Sequence, residues 1–177
     1  FEASPEFADG RPDPMDRWSR RIGLAVAAEL DAQAVFPFEG PPYPPFLEWA
    51  KSGGSAGPSP IARVFHPDYG LWHAYRCALR LNVPFSDQPP ADPARSPCLS
   101  CRDQPCLSAC PVDAFSEASY HVDRCVGFLD GDDASDCTGR GCAARRACPV
   151  AKSFQYLPAQ ARFHMEAFLK AQKKLRN

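Results

Sequence analysis

The amino-acid sequence predicts an α+β chain organised around a cysteine-rich module. A small, helix-containing, proline-rich N-terminal region precedes the module and a C-terminal helix follows it. Three observations predict this. Eight of the nine cysteines fall between Cys98 and Cys148. Apolar residues recur at helical spacing in separate segments on either side of them. The 20 prolines gather in short clusters that break the rest of the chain into brief elements. Three domains are expected: residues 1–90, small α/β or mostly helical with proline-rich linkers; residues 91–157, the cysteine module; and residues 158–177, a helix packed on the body.

Residues 1–14 are rich in Pro and Asp and run over the surface. From Asp16 onward, Trp18, Ile22, Ala25, Val26 and Leu30 repeat with helical spacing, and Asp16 is placed to accept first-turn N–H bonds. A helix near 16–30 follows, with Gly23 as its weak point. Residues 34–38 read as a short strand, ended by Pro37 and the rigid run Gly40-Pro41-Pro42-Tyr43-Pro44-Pro45. A brief helix is expected over 46–51, then a flexible stretch over 52–57 and a strand over 61–65. The turn Pro67-Asp68-Tyr69-Gly70 should lead into a helix running from near Asp68 to just before Pro84, with Leu71, Ala74, Tyr75, Ala78, Leu79 and Asn82 on one mostly apolar stripe. Cys77 lies off that stripe and reads as a partly buried free thiol. Residues 84–97 form a second proline-rich linker, with a boundary near position 90. The tail is helical over 159–175, its last turns placing Lys170, Lys173, Lys174 and Arg176 at the negative end of the helix dipole.

Composition excludes several roles. With 20 basic and 21 acidic residues the formal net charge is −1, which offers no basic face for nucleic acid. No run of 18 apolar residues is present, so no membrane span is expected. A chain of 177 residues can bury a core without cross-links, so its nine cysteines need a chemical reason. Their odd number and local crowding favour thiolates held by a metal or cluster in a reducing cytoplasm over a disulfide scaffold.

The cysteines form two blocks. The first is Cys98-x2-Cys101-x4-Cys106-x3-Cys110-Pro111, and the second is Cys125-x11-Cys137-x4-Cys142-x5-Cys148-Pro149. Eight thiolates are the number required by two four-cysteine [4Fe-4S] clusters. In two-cluster ferredoxins the fourth cysteine of each Cys-Pro run serves the other cluster. Applied here, that rule assigns Cys98, Cys101, Cys106 and Cys148 to one cluster, and Cys110, Cys125, Cys137 and Cys142 to the other. Two four-thiolate zinc sites are the alternative, although zinc leaves the paired Cys-Pro endings unexplained.

The stretch His121-Val122-Asp123-Arg124-Cys125-Val126-Gly127-Phe128-Leu129, ahead of Cys137, Cys142 and Cys148-Pro149, resembles the iron-sulfur module of epoxyqueuosine reductases and cobalamin-dependent reductive dehalogenases. The resemblance implies a ferredoxin-like fold over about 50 to 60 residues, with Cys125 joining the second cluster. The whole chain is also similar to a small bacterial ferredoxin-like group carrying Pro58-Ser59-Pro60-Ile61, a segment from His66 to Arg76, and Gln160-Ala161-Arg162-Phe163-His164-Met165. Two departures stand out: four residues separate Cys101 from Cys106 and Cys137 from Cys142, where ferredoxins have two.

The function expected is electron transfer through two [4Fe-4S] clusters, as a carrier or electron-transfer subunit serving a redox protein partner. One alternative is a small reductase that passes cluster electrons to bound cobalamin or another organic cofactor; about 90 residues before the module leave little room for a cobalamin domain. Another is a partner-binding protein in which the clusters are structural. Outside the cysteines, His66, His73, Tyr75 and Arg76 form the densest polar group and are the candidate partner or substrate contacts. No catalytic residue is assigned. Asp130, Asp132, Asp133 and Asp136 make an acidic loop that lacks the spacing of a calcium site.

Overall fold

The computed structural model describes residues 1–53, 56–84, 96–116 and 119–176. In chain order its elements are α1 (Pro5–Ala8), α2 (Pro14–Glu29), β1 (Ala32–Val35), α3 (Phe46–Ser52), β2 (Gly57–Pro58), β3 (Val64–Phe65) and β4 (Ala78–Leu81), followed by α4 (Pro105–Ser108), β5 (Phe115–Ser116), β6 (Ser119–Tyr120), α5 (Val122–Leu129), α6 (Ser135–Arg140), α7 (Ala143–Ala147) and α8 (Pro158–Arg176). The strands pair as three antiparallel two-stranded sheets among the described residues. The chain divides into two units, one of Phe1–Ser55 with Ala74–Ala91 and the other of Ala56–His73 with Asp92–Asn177. The expected linker over 84–97 falls mostly outside the described residues, as does its boundary near 90, and so do residues 54 and 55 of the stretch expected to be flexible.

In the first unit, α2 starts at Pro14, whose fixed φ suits the first helical position. The helix buries Met15, Ser19, Gly23 and Ala27, a stripe of small residues at four-residue spacing with one methionine. The larger residues that suggested the helix face outward: Ile22, Val26 and Leu30 are exposed. Phe36 explains the inversion. Its ring is fully buried, and a Cβ at position 23 would stand 2.8 Å from it. Gly23 is therefore the place where the helix admits an aromatic ring.

Strand β1 ends at Val35, ahead of Pro37, which has no N–H to give a ladder. It pairs with β4, from Ala32 opposite Leu81 to Val35 opposite Ala78. This pairing overturns the helix expected across 68–83, where the chain is turn, irregular backbone and strand. The exposed backbone groups of β1 need partners, and residues 78–81 supply them. Arg76 reinforces the extended course by pairing with Asp16 and donating from Nε to Ser19 Oγ at 3.0 Å. Tertiary partners outweigh the local apolar stripe.

In the second unit, the strand expected over 61–65 shortens to Val64–Phe65, because Ala62 takes a φ of +53° and turns the chain. Ile61, Phe65, Leu71, Ala114, Phe115 and Ala144 form the core, with Cys106 and Cys148 inside it. Leu129, Ala134 and Cys137 form a second cluster under Met165, Phe168 and Leu169 of α8. The basic end of α8 is used within the chain: Lys173 reaches Asp130 at 2.5 Å and Arg176 pairs with Asp123.

The α+β class stands as helices with small open sheets. The ferredoxin-like two-cluster module does not stand, since no group of three or more His, Cys, Asp or Glu side chains among the described residues is placed to hold a metal ion.

Candidate functional site

Four cysteines line one pocket in the second unit. Cys98 and Cys101 lie in and just after the turn over 97–100, Cys106 on α4, and Cys148 directly after α7. The turn is closed by Leu99 N–H to Ser96 O at 3.1 Å. Helix α4 opens with Pro105, after Gln104 at a φ of +35°, and packs against α7. Cys148 has extended backbone with ψ of 126°, as a residue before proline must. The pocket is small, about 30 Å³, and Pro60, Phe65, Leu71, Pro105, Pro149 and Val150 make most of the remaining wall.

The electrostatic influences among the thiols follow the same grouping. Burial pushes the Cys98 thiol up, and negative charge on Cys148 and Cys101 adds to the shift. Burial likewise pushes Cys106 up, with Cys148, Cys98 and Cys101 contributing. The remaining four form a second neighbourhood. Cys125 on α5 is raised by burial, against a hydrogen bond from the Tyr120 hydroxyl, and it feels Cys142, Cys110 and Cys137. Cys137 on α6 is also raised by burial, although the Ala143 N–H bonds to it. Cys110 Sγ accepts the Ala114 N–H at 3.3 Å. All nine cysteines are free thiols, and Cys77 lies in the first unit close to Gly23.

Proximity of these sulfurs does not make a metal centre. Among the described residues, no group of three or more His, Cys, Asp or Glu side chains is placed to hold a metal ion. The expectation of a ferredoxin-like module with two [4Fe-4S] clusters is thereby corrected, and so is the resemblance to the iron-sulfur module of the reductases. Electron transfer through such clusters falls with it. The two alternatives fall too, since the cobalamin reading needs cluster electrons and the structural reading needs clusters as braces. The physical reason is geometric. Cluster ligation requires thiolates that converge on one centre, and no such convergence is present among the described residues. Burial holds Cys98, Cys106, Cys125 and Cys137 toward the neutral thiol. Nearby guanidiniums are engaged elsewhere: Arg145 donates to backbone carbonyls and Tyr156, and Arg146 pairs with Asp136. Neutral buried thiols pack as small hydrophobes.

The polar group predicted from sequence is divided. His66 and His73 belong to the second unit, Tyr75 and Arg76 to the first. His66 Nδ1 accepts the Asp68 N–H at 3.1 Å, and its ring centroid lies 5.6 Å from that of His73. His73 Nδ1 donates to Gly70 O at 3.1 Å, and burial holds its pKa below the usual range, so the ring is neutral at pH 7. Sequence reasoning did not single out Arg145, whose half-buried guanidinium bonds Leu71 O, His73 O and the Tyr156 hydroxyl.

A scan against protein-family models, a search of curated proteins and a search of solved structures each found no match. No helix among the described residues is long and apolar enough to cross a membrane.

Proposed function

We propose that the chain is a cytoplasmic thiol redox protein that exchanges electron pairs with a redox protein partner through the pocket of Cys98, Cys101, Cys106 and Cys148. The observation that carries this reading is the meeting of four free thiols on one pocket wall. Nine unpaired cysteines suit a reducing compartment. Cys98 and Cys101 are half-buried while Cys106 and Cys148 are buried, which divides the roles. Cys98, as thiolate, attacks a disulfide of the partner; one partner sulfur leaves as thiolate and a mixed disulfide forms. Cys148 then displaces the second partner sulfur and closes a disulfide with Cys98. Two electrons and two protons pass to the partner, whose disulfide becomes a dithiol. Because burial raises Cys98, the reactive thiolate is scarce at neutral pH, and exchange depends on the partner's own reactive sulfur. Cys110, Cys125, Cys137 and Cys142 form a second candidate set in the same unit. His66 and His73, also of that unit, are the proposed partner contacts, whereas Arg76 is engaged with Asp16.

Equilibration in glutathione buffers of graded potential, followed by alkylation and mass counting of free thiols, tests this. The expected result is loss of two thiols in one two-electron step between about −180 and −300 mV, the range of protein dithiols. Cys148→Ser should remove that step. A count that stays at nine across the range contradicts the proposal.

A further inference from the structure

Arg145 of α7 is half-buried and bonded to neutral groups. Its Nε donates to Leu71 O at 2.5 Å, and Nη2 donates to His73 O at 3.2 Å and to the Tyr156 hydroxyl at 3.0 Å. Its guanidinium lies 4.3 Å from the Tyr156 ring centroid and 5.3 Å from that of Trp72. No carboxylate pairs with it among the described residues, and burial holds its pKa below the ordinary guanidinium range, with the positive charge of Arg63 adding to the effect. Beside it, Trp72 is 6% exposed and its indole N–H is buried without an acceptor.

Both groups are donors only. A partly desolvated cation without a carboxylate partner attracts an anion, and an orphaned buried N–H costs about 1–3 kcal/mol, so a negatively charged acceptor suits both groups. We infer that Arg145 and Trp72 form a binding site for a small molecule bearing an oxyanion, a carboxylate or phosphate group, in the second unit and separate from the thiol chemistry. The Tyr156 and Trp72 rings, 5.8 Å apart and inclined at 67°, both border the cation and supply apolar surface beside it. Arg63 adds positive field, while His73, also neighbouring Arg145, is neutral at pH 7. This assigns a role to Trp72, which the thiol reading leaves unused.

The test is titration of the reduced, full-length chain with inorganic phosphate and, separately, with acetate, following the indole N–H resonances of Trp18, Trp49 and Trp72. The Trp72 resonance is assigned from its absence in Trp72→Phe. The expected result is a saturable shift of that resonance by at least one probe, and the tighter probe identifies the oxyanion. Calorimetric affinity for that probe should fall about tenfold in Trp72→Phe, the loss of one hydrogen bond to a charged group. It should be abolished in Arg145→Met and partly kept in Arg145→Lys. Absence of a saturable Trp72 shift in the unmodified chain overturns the inference, which holds the test open if the Arg145 variants fail to fold. Unchanged affinity in a folded Trp72→Phe or Arg145→Met overturns it as well.

Discussion

Replacing Gly70 with alanine tests how the second unit builds its pocket. Gly70 has a φ of +57°, and its backbone exchanges hydrogen bonds with His66, N–H to O at 2.8 Å and O to N–H at 2.9 Å. Its carbonyl also accepts the His73 Nδ1–H. A Cβ at this position would lie 3.2 Å from both Val150 O and Ala151 Cβ, next to the Cys148-Pro149 segment of the pocket. The left-handed conformation costs an alanine about 1 kcal/mol. Tight contact with a backbone oxygen adds about 1 kcal/mol or more, since backbone yields less readily than a side-chain end. Gly70→Ala should therefore lower stability by about 2–3 kcal/mol in urea denaturation, read by Trp72 fluorescence in a chain whose Trp18 and Trp49 are replaced by Phe. Cys148 should alkylate faster in the same variant. The matched control is Gly127→Ala on α5, where a Cβ meets nothing within 4 Å; helix propensity alone should stabilise that variant by about 0.5–1 kcal/mol. Equal stability of Gly70→Ala and the unmodified chain, with Cys148 reactivity unchanged, would refute the reasoning.

Other consequences follow from named contacts. Gly23→Ala should destabilise the first unit despite better helix propensity, because the new methyl meets the Phe36 ring at 2.8 Å; a net loss of about 1–2 kcal/mol by Trp18 and Trp49 fluorescence is expected from overpacking, and a gain would contradict the packing described. Arg76→Ala removes a half-buried ion pair with Asp16 and a stack on Phe38 at 5.6 Å. It should cost about 1–2 kcal/mol while leaving the alkylation rates of the pocket cysteines unchanged. Burial raises the folded-state pKa of Cys98, Cys106, Cys125 and Cys137. The unfolded chain therefore loses these protons first as pH rises, so stability is full below the ordinary thiol pKa and declines above it. Denaturation midpoints measured from neutral to alkaline pH should show that decline, and replacing these four cysteines by alanine should flatten it.

Where local pattern and tertiary need agreed, the elements were legible in the sequence. Helix α8 spans Pro158–Arg176 against an expected 159–175, and α3 matches its expected start. Helix α2 was legible as a helix but its buried face was not, because Gly23 reads as a helix weakener until Phe36 is seen against it. The β4 strand was hidden for a different reason. Leu71, Ala74 and Ala78 satisfy a helical period, and nothing local signals that β1 needs an edge partner. Cysteine spacing indicated that sulfurs would gather, but spacing carries no information on protonation or on whether donors converge. Both depend on the tertiary arrangement of segments far apart in sequence. Arg145 illustrates the point, since its neighbours Leu71, His73 and Tyr156 come from distant segments.

The most direct test of the thiol reading is peptide mapping of the protein brought to its oxidised end point under non-reducing conditions. The account predicts one dominant disulfide within the set Cys98, Cys101, Cys106 and Cys148, with Cys98 joined to Cys148. Nine free thiols at that end point, or bridges distributed without regard to the two cysteine groups, would contradict it.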